Sequence, residues 1–202
     1  MTDISERPIR ERYEHLLAIM SSESFLKMEG LGKEVPFFIC PFKPDEYLEM
    51  NRMGNQLVRQ LEDKGIHVLK VNLYDLSIAL LQQRGIWDQI LAAEESLSKD
   101  ELKELLQGVL DPEAHLMPAI AERMAERDFD VLFLTGVGEV YPFIRSHTVL
   151  NNLQRVAKDR PTVLFFPGQY SHSPDEGASL DLFGRLRGDK YYRAFNIYHS
   201  HV

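Results

Sequence analysis

The chain has 202 residues, 44% hydrophobic and 27% charged, the balance of a globular protein rather than a disordered one. A net charge of −8 works against nonspecific DNA or RNA binding, which needs cations to displace phosphate counterions. A single cysteine, Cys40, excludes an internal disulfide, and no apolar run reaches the roughly 18 residues that span a bilayer.

The opening MTDISERPIRERYEH is charged and has no signal core, so a cytoplasmic protein is expected, with no membrane contact. A first helix is expected from Pro8, with Tyr13, Leu16, Leu17 and Met20 on one apolar face. Gly30 and Gly32 end this helical opening. Val35 to Cys40 reads as a buried strand closed by Pro41. Pro44-Asp45-Glu46 opens a helix to about Lys64, with Tyr47, Met50, Leu57, Val58 and Leu61 toward the core and Gly65 as its stop. His67 to Leu73 alternates like a second strand.

From Asp75 to Arg127 the pattern is helical, broken near Gly85, Ser98 and Asp111. Ser98-Lys99-Asp100-Glu101 is a capping box, and Asp111-Pro112-Glu113 combines a cap, a first-turn proline and an acid at the positive dipole end. Arg84 to Asp128 holds eleven acids against five bases, whereas Arg145 to Arg193 holds eight bases against five acids. The middle is therefore acidic and the end mildly basic. Strands return at Val131–Leu134 and Thr162–Phe166, followed by a polar loop from Ser171 to Ser179, a short helix, and a last strand at Ala194–Tyr198.

Strands separated by helices imply a mostly parallel sheet with helices on both faces. The expectation is a three-layer α/β fold, resembling a P-loop or Rossmann-like domain. It occupies residues 1–202 as a single domain, with a helical N-terminal segment (about 5–30) and a helical insertion (about 75–128).

In such sheets ligands gather at the carboxyl ends of the strands. Those ends carry Lys43, Asp75, Thr135, Glu139, Gln169 and Tyr170, which form either a binding patch or plain chain-turning segments. The strand–glycine–helix stretch DVLFLTGVGEVYPFIRS suggests phosphate binding but lacks its motifs. There is no Gly-x-x-x-x-Gly-Lys-Ser/Thr, and after Gly136 and Gly138 the third fingerprint position is Tyr141. Glu139 also puts a negative charge where an anion would sit. The glycines are better explained as a tight strand exit.

No nucleophile elbow, Cys-x-x-Cys or His-Glu-x-x-His occurs, and no cofactor or metal is indicated. His199 and His201 sit at a terminus, where a solvated tail is the plainer reading, and His147 is more simply packed or solvent-facing than a base. Cys40 reads as a small buried hydrophobe. Tyr191, Tyr192 and Arg193, beside Arg185, Arg187 and Lys190, either stack bases and contact phosphate or anchor the final strand. Trp87 is either core or an interface anchor.

The ordered blocks FLTGVGEVYPFIRSHTVLNNLQ, TVLFFPGQY, LDLFGRL and YYRAF resemble the small BrxB-type proteins of BREX (bacteriophage exclusion) defence systems. A weaker resemblance runs from PFFICPFKPDEYLEMN through HVLKVNLYDL, so about four-fifths of the chain is covered. The loop Ser171 to Ser179 is longer than the family's usual turn. The resemblance implies a cytosolic, non-catalytic component of systems that combine a DNA methyltransferase, an AAA+ ATPase, a phosphatase-like PglZ protein and small accessory proteins. It implies an adaptor docking onto the PglZ-type partner, and carries over no catalytic residue. The residues themselves agree with a binding module. Arg145, Arg185 and Tyr170 are candidate contacts, because arginine and tyrosine are common interface anchors. The acidic middle is a candidate face for a basic partner or a weak mimic of DNA. The alternative is a degenerate nucleotide-binding or ATPase-like sensor using the strand-end patch.

Overall fold

A computed structural model describes residues 4–29, 36–173, 177–187 and 194–200, without the side chains of Ser173, Gly177 and Arg187. Five strands form a parallel sheet in the order β2-β3-β4-β1-β7: Val68–Asn72, Val131–Thr135, Thr162–Ser173, Phe37–Phe42 and Phe195–Asn196. Alternate residues face opposite layers. Phe38, Cys40, Val131, Phe133, Val163 and Phe165 point to one side, where α1 (Ile9–Met20), α2 (Glu23–Leu26) and α3 (Tyr47–Asp63) pack. Phe37, Ile39, Leu132, Leu134, Leu164 and Phe166 point to the other. That face is covered by α4 (Leu73–Gln83), α5 (Trp87–Glu94), α6 (Lys99–Val109), α7 (Met117–Ala125) and α8 (Ser146–Leu153). The three-layer α/β architecture follows from strands apolar on both faces, which must be covered on both.

The capping signals hold. Ser98 accepts the Glu101 amide while Glu101 accepts from the Ser98 amide, and Asp111 accepts the Ala114 amide ahead of a wide π-type turn, Pro112–Leu116. Several boundaries differ from expectation. Pro41 does not close β1 but lies inside it, opposite Phe166. The reason is that, among the described residues, β7 accompanies β1 only at Phe38 and Ile39, leaving that edge of β1 without a strand partner beyond Ile39. A residue without an N–H is tolerated on such an edge. The expected start at Val35, and Gly30 and Gly32, lie outside the described residues. β2 stops at Asn72, because the Asn72 side chain caps α4 at once by accepting the amides of Tyr74 and Asp75. The last strand is two residues long, because Asn196 caps Tyr198 and turns Ile197–His199 into a short 3-10 helix.

The largest correction concerns the polar loop and short helix. β4 runs on to Ser173 and folds back as an antiparallel hairpin with β5 (Gly177–Leu182), which pairs with β6 (Leu186–Arg187). Ala178, Leu180 and Leu182 alternate inward and are buried, and that spacing of two overrides the helix reading. Gly168 permits the pairing: a Cβ there would lie 2.2 Å from the Asp181 carbonyl oxygen. Asp175 and Glu176 lie outside the described residues.

On the α1/α3 face, Arg12 is buried at 2% exposure, in line with Leu16 and Ile19. Its guanidinium donates to both carboxylate oxygens of Glu46, at 3.0 and 2.8 Å. Burial alone would lower the Arg12 pKa; the hydrogen bond and charge of Glu46 outweigh it and raise it. Cys40 lies in the same cluster, donating to the Tyr198 hydroxyl at 3.4 Å. Burial pushes its thiol pKa up to about 12, so Cys40 is an inert core residue.

Candidate functional site at the strand ends

The sheet's connections diverge at its carboxyl edge. The chain leaves β1 toward α3 on one face, whereas it leaves β2 and β3 toward α4 and α8 on the other. A crevice is expected where the connections change face, here at β4, which lies between β3 and β1. Two hollows lie there.

The first is a cleft of about 30 Å³ lined by Tyr47, Asn51, Lys70, Asn72, Thr135 and the Gly136–Gly138 turn. It has room for about one water molecule. Gly136 has a φ of +80°, and a Cβ there would sit 2.3 Å from Asn72 Oδ1, so the turn and the α4 cap are built against each other. The amides of Glu139 and Val140 both donate to the Gly136 carbonyl at 3.2 Å. Those two donors are spent inside the turn and are not offered to a phosphate. Glu139 accepts from the Tyr47 hydroxyl, and partial burial raises the carboxyl pKa. Lys70 donates to Asn55 at 2.7 Å; desolvation lowers its pKa, opposed by the charge of Asp75. The buried Thr135 hydroxyl oxygen has no hydrogen-bond partner among the described residues.

The second hollow, about 270 Å³, is lined by Glu6, Lys43, Gln169, Tyr170, Asn196 and His199. Lys43 pairs with Glu6 at 3.2 Å. Tyr170 donates to the Ala194 carbonyl at 2.9 Å, packs its ring on the core, and has its pKa raised by burial.

The structure thus brings Lys43, Gln169 and Tyr170 together and sets Thr135 in the neighbouring cleft. Asp75 lines neither hollow and is exposed on the first turn of α4. Arg145 is exposed at the start of α8, and Arg185 is exposed in the turn between β5 and β6. Tyr192 and Arg193 lie outside the described residues, as do Tyr191, Lys190 and His201. Trp87 is half-buried against the core. Sequence reasoning missed Asn72 and Tyr47 as site-builders, and Arg12–Glu46 entirely. Asn72 had a signal, an N-cap residue at the junction of strand and helix. No described group of three His, Cys, Asp or Glu is arranged to hold a metal ion, and no described helix is long and apolar enough to cross a membrane.

The comparisons with known proteins are consistent over nearly the whole chain. The family model described as BREX protein BrxB matches residues 69–197. A BREX protein BrxB of Bacillus cereus (strain H3081.97) is 33% identical over 195 residues, covering 95% of this chain and 98% of the relative. A BREX protein BrxB of Escherichia coli O9:H4 (strain HS) is 28% identical over 191 residues, covering 94% and 92%. No solved structure matches the chain. With more than half its length matched by the family model and a full-length relative at 33% identity, the chain belongs to the BrxB family of BREX proteins.

Proposed function

We propose that the protein is a non-catalytic adaptor of a BREX-type phage-defence complex, acting in the cytoplasm through protein–protein contacts, with the PglZ phosphatase-like component as its partner. The observation that carries this reading is the state of the strand-end groups. Lys43, Glu139 and Tyr170 hold other parts of the fold through Glu6, Tyr47 and Ala194. Reactive groups poised for chemistry need a nucleophile, a base and an open position together. These side chains instead spend their hydrogen bonds on the scaffold. The exposed arginines, Arg145 and Arg185, supply partner contacts.

The nucleotide-sensor alternative has less support. The glycine-turn amides of Glu139 and Val140 are already bonded, and Lys43 in the larger hollow is paired with Glu6. Thermal unfolding of the full chain with ATP, GTP, Mg2+ and Mn2+ separates the readings. A bound ligand raises the midpoint as its concentration exceeds Kd. The adaptor reading expects an unchanged midpoint across the panel; a rise that grows with nucleotide concentration would refute it. Arg145→Glu combined with Arg185→Glu should weaken capture of the PglZ-type protein, and undiminished capture removes these two residues from the contact.

A further inference from the structure

Away from the strand ends, α4, α5 and α6 enclose an apolar hollow of about 230 Å³. Tyr74, Ile78 and Leu81 of α4 line it at helical spacing, as do Trp87, Ile90 and Leu91 of α5. Tyr74 is 43% exposed and Leu91 44% exposed. Ile78 and Trp87 are half-buried beside them, so the open apolar side chains lie together rather than singly. The hollow is smaller than ligand pockets, which run about 300–1,000 Å³. Its apolar rows suit the side chains of a helix laid into a groove.

The charge around the groove says which helix. Residues 74–110 hold seven acids against three bases. Two of those bases are engaged: Arg84 donates to the Val109 carbonyl, and Lys103 pairs with Asp100 at 3.4 Å. Glu94 stands on the groove wall, and Asp88 and Glu95 are exposed close by on the same stretch of chain. None of the three has an ion pair among the described residues. An apolar floor under an unbalanced negative rim repels nucleic acid and disfavours a second copy of this chain, itself at −8.

We propose that the groove between α4, α5 and α6 is the docking site for an amphipathic helix of another BREX protein, with an apolar stripe flanked by lysines or arginines. This rests on the adaptor reading and names the surface and partner chemistry it uses. The apolar stripe enters between Tyr74 and Leu91, and its basic flanks meet Asp88, Glu94 and Glu95.

The test uses the full chain co-expressed with the other BREX genes. A photo-cross-linking residue, p-benzoylphenylalanine, replaces Leu91, and the captured segment is mapped by mass spectrometry. The expected product is a segment with apolar residues at helical spacing and a net positive charge. Leu91→Arg, and Glu94→Lys with Glu95→Lys, should each weaken the complex by about tenfold or more, as loss of an anchor or a reversed charge pair does. Leu48→Arg, on α3 at 67% exposure, should leave it intact. All these positions are exposed, so unchanged thermal midpoints confirm folding. A wild-type complex indifferent to Leu91→Arg overturns the groove and leaves the adaptor standing. A captured segment that is acidic or neutral overturns the proposed occupant. No complex with the wild-type chain refutes the adaptor reading, and the groove proposal with it.

Discussion

Glu46→Gln keeps the side chain's shape and its acceptor for the Lys43 amide but removes the charge facing Arg12. Arg12 is 2% exposed and bonded to both Glu46 oxygens, so the guanidinium has no route to water once the carboxylate is gone. Removing one partner of a buried pair costs about 3–5 kcal/mol. The Glu46 side chain is 27% exposed, which places this pair at the lower end, about 3 kcal/mol. For a chain of this size that is a fall in Tm of about 6–12 °C. The reverse substitution is milder. Arg12→Met fills the site with an apolar chain, and the partly exposed Glu46 can turn to water, for a cost of about 1–2 kcal/mol. The double variant should then cost about as much as Arg12→Met alone, giving a coupling of about 3 kcal/mol in a double-mutant cycle. Urea unfolding followed by circular dichroism measures all four proteins. A loss below about 1 kcal/mol for Glu46→Gln, or a larger loss for Arg12→Met, would show that burial does not govern this pair.

Gly136→Ala should cost about 2–3 kcal/mol, combining a left-handed backbone with disruption of the Asn72 cap, and less in an Asn72→Ala background, as urea midpoints would show. Gly54→Ala should instead stabilise by about 0.5–1 kcal/mol, because its Cβ would meet Phe165 at an ordinary 3.7 Å and helix propensity improves. Hydrogen bonds from the Val68 amide and His67 lower the Glu62 pKa. A depressed carboxylate contributes stability above its unfolded value of about 4.3, lost as pH falls through the native value. Stability in urea should therefore fall less between neutral and acid pH in Glu62→Gln. The same contact raises the His67 pKa above 6.5, a contribution present below the unfolded value and lost as pH rises through the native one. An NMR titration should show that raised value and its drop in Glu62→Gln. Cys40 should resist a thiol reagent in the folded protein and react at once in denaturant; rapid labelling of the native chain would contradict its burial.

Much of the architecture was legible because the signals were local. Apolar runs at 131–134 and 162–166, the Ser98 capping box and the Asp111 cap act within a turn or a strand. The hairpin of β4 and β5 was missed because Ser171, Ser179 and Asp181 lie on the outward face, while the inward Ala178, Leu180 and Leu182 form too short an alternation to outweigh a loop reading. Pro41 was misread because a proline's tolerance depends on which edge its neighbour strand leaves open, a fact of pairing rather than sequence. The site was less legible for the same reason. Lys43, Gln169 and Tyr170 share a hollow as expected from their strand ends, yet their partners Glu6 and Ala194 come from distant segments. Arg12 falls on a buried helical stripe, where an arginine is readable only once Glu46 is known to face it.

The most direct test of the adaptor role is native mass spectrometry of the tagged chain purified from cells co-expressing the neighbouring BREX genes. A stoichiometric complex with the PglZ-type protein, persisting at micromolar concentration, is the expected result. The chain recovered alone at that concentration would contradict it.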